Sequence, residues 1–275
     1  MKPNIVGIWG APRTGTSWLG QIFDSSPDVR YQMAPFYSWN FRDKLTVRST
    51  ELEIEEYFLS VYNSEDRYLR QLDRREQGIY PIWNKKNEMP NFLTFKEVTC
   101  IYLLPNLMKN SPNMKSVALV RNPYDQMKSW INNEKEFHSD WPLDEEWFFG
   151  HRRNELQAES YFGFHKWKEA TMTFFELEKE FKERFLIVEY EKLNENPLEQ
   201  VKQIFDFCKI PLGAQTEEFI QKSSSTFVAN PFSVYRKHGE SNPLNTKEVP
   251  DYIKDIIEKE LEYFEPAQRF AWNRR

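Results

Sequence analysis

Apolar residues along this chain fall into short dense runs, separated by longer stretches in which they recur at helical spacing. Asn4-Ile5-Val6-Gly7-Ile8-Trp9 is nearly continuous in apolar character and is closed by Gly10 and Pro12, the pattern of a short buried strand. Leu19, Ile22 and Phe23 then repeat as on one helix face, so the order is strand, tight loop, helix. Val29-Arg30-Tyr31-Gln32-Met33 reads as a second strand, Ser116-Val117-Ala118-Leu119-Val120 as the clearest buried one, and Phe185-Leu186-Ile187-Val188-Glu189-Tyr190 as a further strong one. Asn122-Pro123 supplies an N-cap and a first-turn proline for a helix. Asn196-Pro197 with Glu199 opens another, whose Leu198, Val201, Phe205 and Cys208 share a face. Ile253, Ile256, Ile257, Leu261 and Phe264 mark a last amphipathic helix. Strands alternating with helices predict an α/β fold: a central parallel sheet flanked by helices on both faces. No repeat, low-complexity tract or linker divides the chain, so residues 1–275 read as a single domain.

Composition narrows the possibilities. At 40% hydrophobic residues the chain can bury a sizeable core, and its 16% aromatics must be mostly core, with some left to line a pocket. The formal net charge of −5 argues against a nucleic-acid partner. Any anion site must therefore be local. Cys100 and Cys208 are too few and too far apart for a disulfide framework or a zinc site, and no metal is expected. With no apolar run near the length of a membrane span and no signal-like apolar core at the N-terminus, the expected location is cytoplasmic.

The loop between the first strand and the first helix carries the chemistry. Gly10-Ala11-Pro12-Arg13-Thr14-Gly15-Thr16-Ser17 has the glycine spacing of a phosphate-binding loop, where backbone N–H groups and a helix N-terminus receive an anion. A nucleoside triphosphatase has lysine where this loop has Thr16, and the cation stands instead at Arg13. The neighbouring strand ends in Arg121 rather than in an acidic magnesium ligand. A second cation there suits an additional phosphate better than a metal ion.

Pro12-Arg13-Thr14-Gly15-Thr16-Ser17-Trp18-Leu19 resembles the 5′-phosphosulfate loop of the sulfotransferase superfamily, and Ser25-Ser26-Pro27-Asp28-Val29 is similar to the segment that follows it. The resemblance implies a three-layer P-loop-like fold. It also implies a donor, 3′-phosphoadenosine 5′-phosphosulfate (PAPS), and a product, 3′-phosphoadenosine 5′-phosphate (PAP). Arg13, Thr14, Gly15, Thr16 and Ser17 would hold the 5′ end, while Trp18 packs near the adenine or in the core. Val117–Ser129 resembles the 3′-phosphate motif, in which Arg121 and Ser129, eight positions later, would grip the ribose phosphate. Val188-Glu189-Tyr190-Glu191-Lys192-Leu193 resembles a segment whose tyrosine approaches the nucleotide, although Tyr190 equally suits a strand-end core position. Ser233-Val234-Tyr235-Arg236-Lys237-His238-Gly239 resembles the late basic segment that closes over the adenosine, with Arg236 and Lys237 as its contacts; a solvated basic loop is the alternative.

The implied reaction passes a sulfuryl group from PAPS to a hydroxyl of a carbohydrate or small-molecule acceptor. Arg13 would stabilise the bridging oxygen, Lys96 would contact the transferring group, and Glu97 would serve as general base. A surface Lys–Glu pair is the plainer account of Lys96 and Glu97. Relatives that place a glutamate soon after the Pro-Asp-Val segment differ from this chain, which has Met33-Ala34-Pro35-Phe36 there, leaving His138, His151 and His165 as further candidates. The polar stretch around 51–90 reads as a solvated helical face or as a helical insertion covering the acceptor site. Two rival functions are a small-molecule kinase that uses the loop with ATP, and a non-catalytic nucleotide-binding module.

Overall fold

A computed structural model describes residues 2–237 and 242–272. Five parallel strands form one sheet in the order β2-β3-β1-β4-β5: β1 Asn4–Trp9, β2 Val29–Met33, β3 Phe92–Glu97, β4 Met114–Val120 and β5 Phe185–Glu189. The helices are α1 Thr16–Ser25, α2 Glu51–Tyr62, α3 Leu72–Glu76, α4 Leu104–Asn110, α5 Pro123–Ile131, α6 Leu143–Phe149 and α7 His151–Asn154. They continue with α8 Phe164–Glu180, α9 Tyr190–Glu195, α10 Pro197–Cys208, α11 Ala214–Ser225, α12 Asp251–Glu262 and α13 Glu265–Phe270.

Strand alternation sends successive side chains to opposite faces, and each face has its own core. Val6, Ile8, Val117 and Leu119 pack with Leu19, Ile22 and Phe23 of α1 and with Val201, Ile204 and Phe205 of α10. On the other face Trp9, Phe95, Ala118 and Val120 pack with Tyr57 and Phe58 of α2, Met127 and Trp130 of α5, and Trp167 of α8. The aromatic richness is spent there: Trp9 meets Phe95 edge-on at 5.6 Å, and Phe58 stacks on Phe95 at 5.1 Å. Such ring pairs add about 1 kcal/mol each beyond their burial.

Helix starts follow their local chemistry. Asn122 caps α5 by accepting the Tyr124 N–H at 3.0 Å, with Pro123 in the first turn. The face of α10 consists of Val201, Ile204, Phe205 and Cys208; Leu198 is exposed, because the first turn lies beyond the part of the helix that meets the core. Ile256 likewise sits on the outer side of α12. The last strand stops at Glu189, and Tyr190 begins α9.

The unexpected element is β3, which pairs with both β1 and β2 and so lies inside the sheet. Its sequence ends in Lys96-Glu97, yet both residues are buried. The segment 51–90 is solvated on one side and packed on the other: Glu51, Leu52, Glu56 and Leu59 of α2 are exposed, while Ile54, Tyr57, Phe58 and Val61 are buried. No helix among the described residues is long and apolar enough to cross a membrane.

Candidate active site

All five strands run in parallel, so their C-terminal ends meet along one edge of the sheet, where a cleft of about 970 Å³ opens. The loop after β1 contributes Arg13, Gly15, Thr16 and Ser17 to its wall. Gly15 is the N-cap of α1 with φ 91°; no side chain caps the helix, and while the Trp18 N–H donates to the Gly15 carbonyl at 3.0 Å, the N–H groups of Thr16 and Ser17 face the loop without a side-chain cap. A Cβ on Gly15 would stand 2.6 Å from the Tyr190 ring, and one on Gly10 would stand 2.5 Å from Thr14 Oγ1. Both positions need glycine. Thr14 is buried and donates its hydroxyl to the Ala11 carbonyl at 2.8 Å, which tightens the loop from within and keeps the side chain out of the cleft lining. Gln126 of α5 braces the same turn, donating to the Pro12 carbonyl at 2.7 Å.

Arg13 adopts φ 69°, in the left-handed region that non-glycine residues rarely occupy. The surroundings hold it there. Its carbonyl accepts from Arg121 Nη1 at 3.0 Å, while its side chain reaches Ser129 Oγ at 3.3 Å and the Pro231 carbonyl at 3.3 Å. Arg121, at the end of β4, lies over the Tyr190 ring with 4.5 Å from guanidinium to centroid. Its Nε is buried and has no hydrogen-bond partner. Burial draws the Arg13 pKa below the ordinary arginine value, an effect that Glu136 opposes and Arg121 reinforces. Burial also lowers Arg236, and Arg13 lowers it further. The Arg13 guanidinium is therefore repelled by those of both Arg121 and Arg236 around one cleft, in a chain of net charge −5. Such crowding is offset when an anion binds between them.

Lys96 and Glu97 part company at the end of β3. Lys96 faces the cleft. Glu97 points to the opposite face, where Oε1 accepts the Phe36 N–H at 2.7 Å and Oε2 accepts the Thr99 hydroxyl at 2.9 Å. The Glu97 carboxylate is not part of the cleft lining, because adjacent strand residues cannot share a face. Burial pushes its pKa up and that of Lys96 down. Of the carboxylates that line the cleft, Asp125, Glu136, Glu191 and Glu195, it is Glu136 that pairs with Arg13, with Oε2 at 3.5 Å from Arg13 Nη1 and at 2.8 Å from Asn133 Nδ2. His138, His151 and His165 are exposed and lie outside the lining.

A family profile described as the sulfotransferase domain matches residues 3–269. The chain belongs to the sulfotransferase family. It is accordingly a PAPS-dependent enzyme, with PAP as the product of the donor. Solved structures share the fold of this sulfotransferase. A mouse sulfotransferase complexed with PAP is 14% identical, with a TM-score of 0.55 over 94% of this chain and 83% of that one. A sulfotransferase from Alicyclobacillus acidocaldarius is 17% identical, with a TM-score of 0.54 over 97% and 92%. A retinol dehydratase in complex with retinol and PAP is 15% identical, with a TM-score of 0.54 over 97% and 82%. No curated protein matches the sequence.

The remaining motif residues of this sulfotransferase sit on the same cleft. Trp18 is buried, its indole N–H donates to Ser223 Oγ of α11 at 2.9 Å, and part of it lines the cleft. Tyr190 lines the cleft beneath Arg121. Arg236 lines it too, but its guanidinium binds the carbonyls of Val228, Asn230 and Tyr235, and so shapes the loop that carries Pro231 and Phe232. Lys237 is exposed at the cleft edge, while His238 and Gly239 of that segment lie outside the described residues. From the 51–90 segment, only Tyr68 and Arg74 reach the lining. Sequence reasoning passed over Glu136, Arg74, Lys135 and Arg153, because none belongs to a recognisable spacing, and it gave no role to Gln126 within the Val117–Ser129 motif.

Proposed function

We propose that the enzyme transfers the sulfuryl group of PAPS to a hydroxyl of a carbohydrate or small-molecule acceptor. The observation that carries this reading is the meeting of Arg13, Arg121 and Arg236 on one cleft, with Arg121 Nε buried and unpaired. That orphaned donor and the uncapped start of α1 suit a nucleotide bearing two separate anionic groups. Arg13, Gly15, Thr16 and Ser17 would hold the 5′ end, with Thr14 keeping the loop closed. Arg121 and Ser129 would hold the 3′-phosphate, with Tyr190 and the edge of Trp18 against the nucleoside, and Arg236 and Lys237 on the covering loop. Bound PAPS supplies the activated sulfuryl group.

The chain's own groups then do electrostatic and proton work. Arg13 and Lys96 place positive charge where negative charge builds up as the S–O bond to the leaving phosphate oxygen breaks. Glu136, in the cleft beside Arg13, takes the proton from the acceptor hydroxyl. Glu97 acts as a positioning residue: it ties Phe36 and Thr99 to the end of β3 and so fixes the strand end from which Lys96 projects. Tyr68 and Arg74 are the parts of the 51–90 segment that cover the acceptor side. A retinol dehydratase solved with retinol supports a small acceptor.

Calorimetric titration with PAP and ATP, with and without magnesium, tests the reading, together with PAP release from PAPS across an acceptor panel. Tight PAP binding that ignores a chelator is the expected result. Magnesium-dependent ATP binding with no response to PAP would favour a kinase. PAP binding that is indifferent to Arg13→Ala, with no turnover on any acceptor, would favour a binding module.

A further inference from the structure

Beyond Arg13 and Arg121, further cations line the cleft. Arg13 and Arg121 follow β1 and β4, which are neighbours in the sheet, and Arg121 is bonded to the Arg13 carbonyl. The same lining also holds Arg74, from the segment between β2 and β3, and Lys135 and Arg153, from the segment between β4 and β5. Arg74 is fixed by donation to the Tyr80 hydroxyl at 2.7 Å, and its guanidinium lies 5.1 Å from the centre of the Phe232 ring. Lys135 Nζ lies 5.4 Å from the same ring. Arg153 lies over Phe162 at 4.5 Å.

None of these three forms an ion pair among the described residues. Nearby acids are committed elsewhere: Asp73 and Glu76 to Arg67, Glu145 and Glu146 to Arg152, and Glu136 to Arg13. Aromatic faces hold a cation in place without neutralising it. Arg153 Nε is moreover buried with no partner, although its helix is firmly set. Asn154 donates to the carbonyls of Phe149 and Phe162, each at 2.8 Å, and accepts the Phe162 N–H at 3.0 Å. A rigidly mounted guanidinium with an unused buried donor is arranged for an oxyanion that the protein does not itself provide.

We infer that the acceptor carries an oxyanion, a carboxylate or a sulfate ester, in addition to the hydroxyl that is modified, and that Arg74, Lys135 and Arg153 receive it. This rests on the sulfuryl-transfer reading above.

The test uses matched acceptors that differ only in charge: a phenyl glucoside, the corresponding glucuronide and a ring-sulfated counterpart. Each is assayed for PAP release with PAPS and for calorimetric binding to the PAP-saturated enzyme. An anionic member should be favoured by about tenfold or more, as expected for a charge-assisted contact, and raised salt should erode that preference. Arg153→Gln and Arg74→Gln should each collapse it, while Arg153→Lys retains part and PAP affinity stays within about twofold in every variant. Thermal melting confirms that the variants are folded. Equal treatment of the acceptors, rejection of all of them, a neutral preference, or a preference that survives both glutamine variants overturns the anionic assignment. Failure of the wild-type enzyme to bind PAP would instead overturn the transfer reading.

Discussion

Replacing Lys96 with alanine is expected to lower kcat by about two to three orders of magnitude while leaving PAP affinity within about twofold. Lys96, the penultimate residue of β3, lines the cleft and is almost wholly removed from solvent, so its charge acts through a medium that screens it poorly. Negative charge passes from the sulfuryl group onto the leaving oxygen as the S–O bond breaks, a cation over the transferring group acts on that transition state, and PAP has no sulfuryl group for the lysine to hold. The effect should therefore appear in turnover rather than in product binding. Burial depresses the Lys96 pKa against the opposing pull of Glu97, and the charges of Arg74 and Arg13 add to the depression. The protonated form is the active one, so the rate should fall as pH rises through a value below the ordinary lysine range. Lys96→Arg, which stays charged, should move that alkaline limb upward. A Lys96→Ala enzyme within threefold of wild type would remove the residue from the chemistry.

Glu136→Gln should cost roughly a hundredfold or more in kcat, the loss of a general base. The substitution keeps the shape and removes the acceptor of the proton. It also frees Arg13 from its ion pair, so PAP affinity should hold or rise. Glu97→Gln provides the contrast. That carboxylate already accepts from Phe36 and Thr99 on the far face of β3, and its replacement should disturb the strand end while lowering kcat less than about tenfold. Should Glu97→Gln abolish turnover and Glu136→Gln spare it, the two roles would have to be exchanged.

The glycine loop between β1 and α1 was legible in the sequence because its constraints are local. Gly10 and Gly15 are required by contacts within a few residues and by one packed tyrosine, and the strand and helix on either side carry clear periodicity. Arg121 and Ser129 were legible for the same reason, set on a strand end and a helix joined by a capped turn. The strand β3 was not. Its two terminal charges imitate a surface pair, and only the tertiary structure shows that the sheet encloses them. The opposed directions of Lys96 and Glu97 follow from strand alternation once the strand is known. Glu136, Arg74 and Arg153 come from turns and short helices far apart in the chain, and no periodicity marks their convergence. Arg236 has a mixed outcome: its place on the cleft was readable, but the carbonyls that occupy its guanidinium were not.

The claim on which the rest depends is that one nucleotide spans both anion cradles, with Arg121 reading its 3′-phosphate. The direct measurement is calorimetric titration of PAP and adenosine 5′-phosphate into the wild-type enzyme and into Arg121→Ala. Wild type should prefer PAP by about tenfold to a hundredfold, the range for charge-assisted bonds to a phosphate. Arg121→Ala should lose most of that preference by weakening PAP alone, with adenosine 5′-phosphate changed less than about threefold. Equal weakening of both nucleotides, or an undiminished preference for PAP in the variant, would contradict the account.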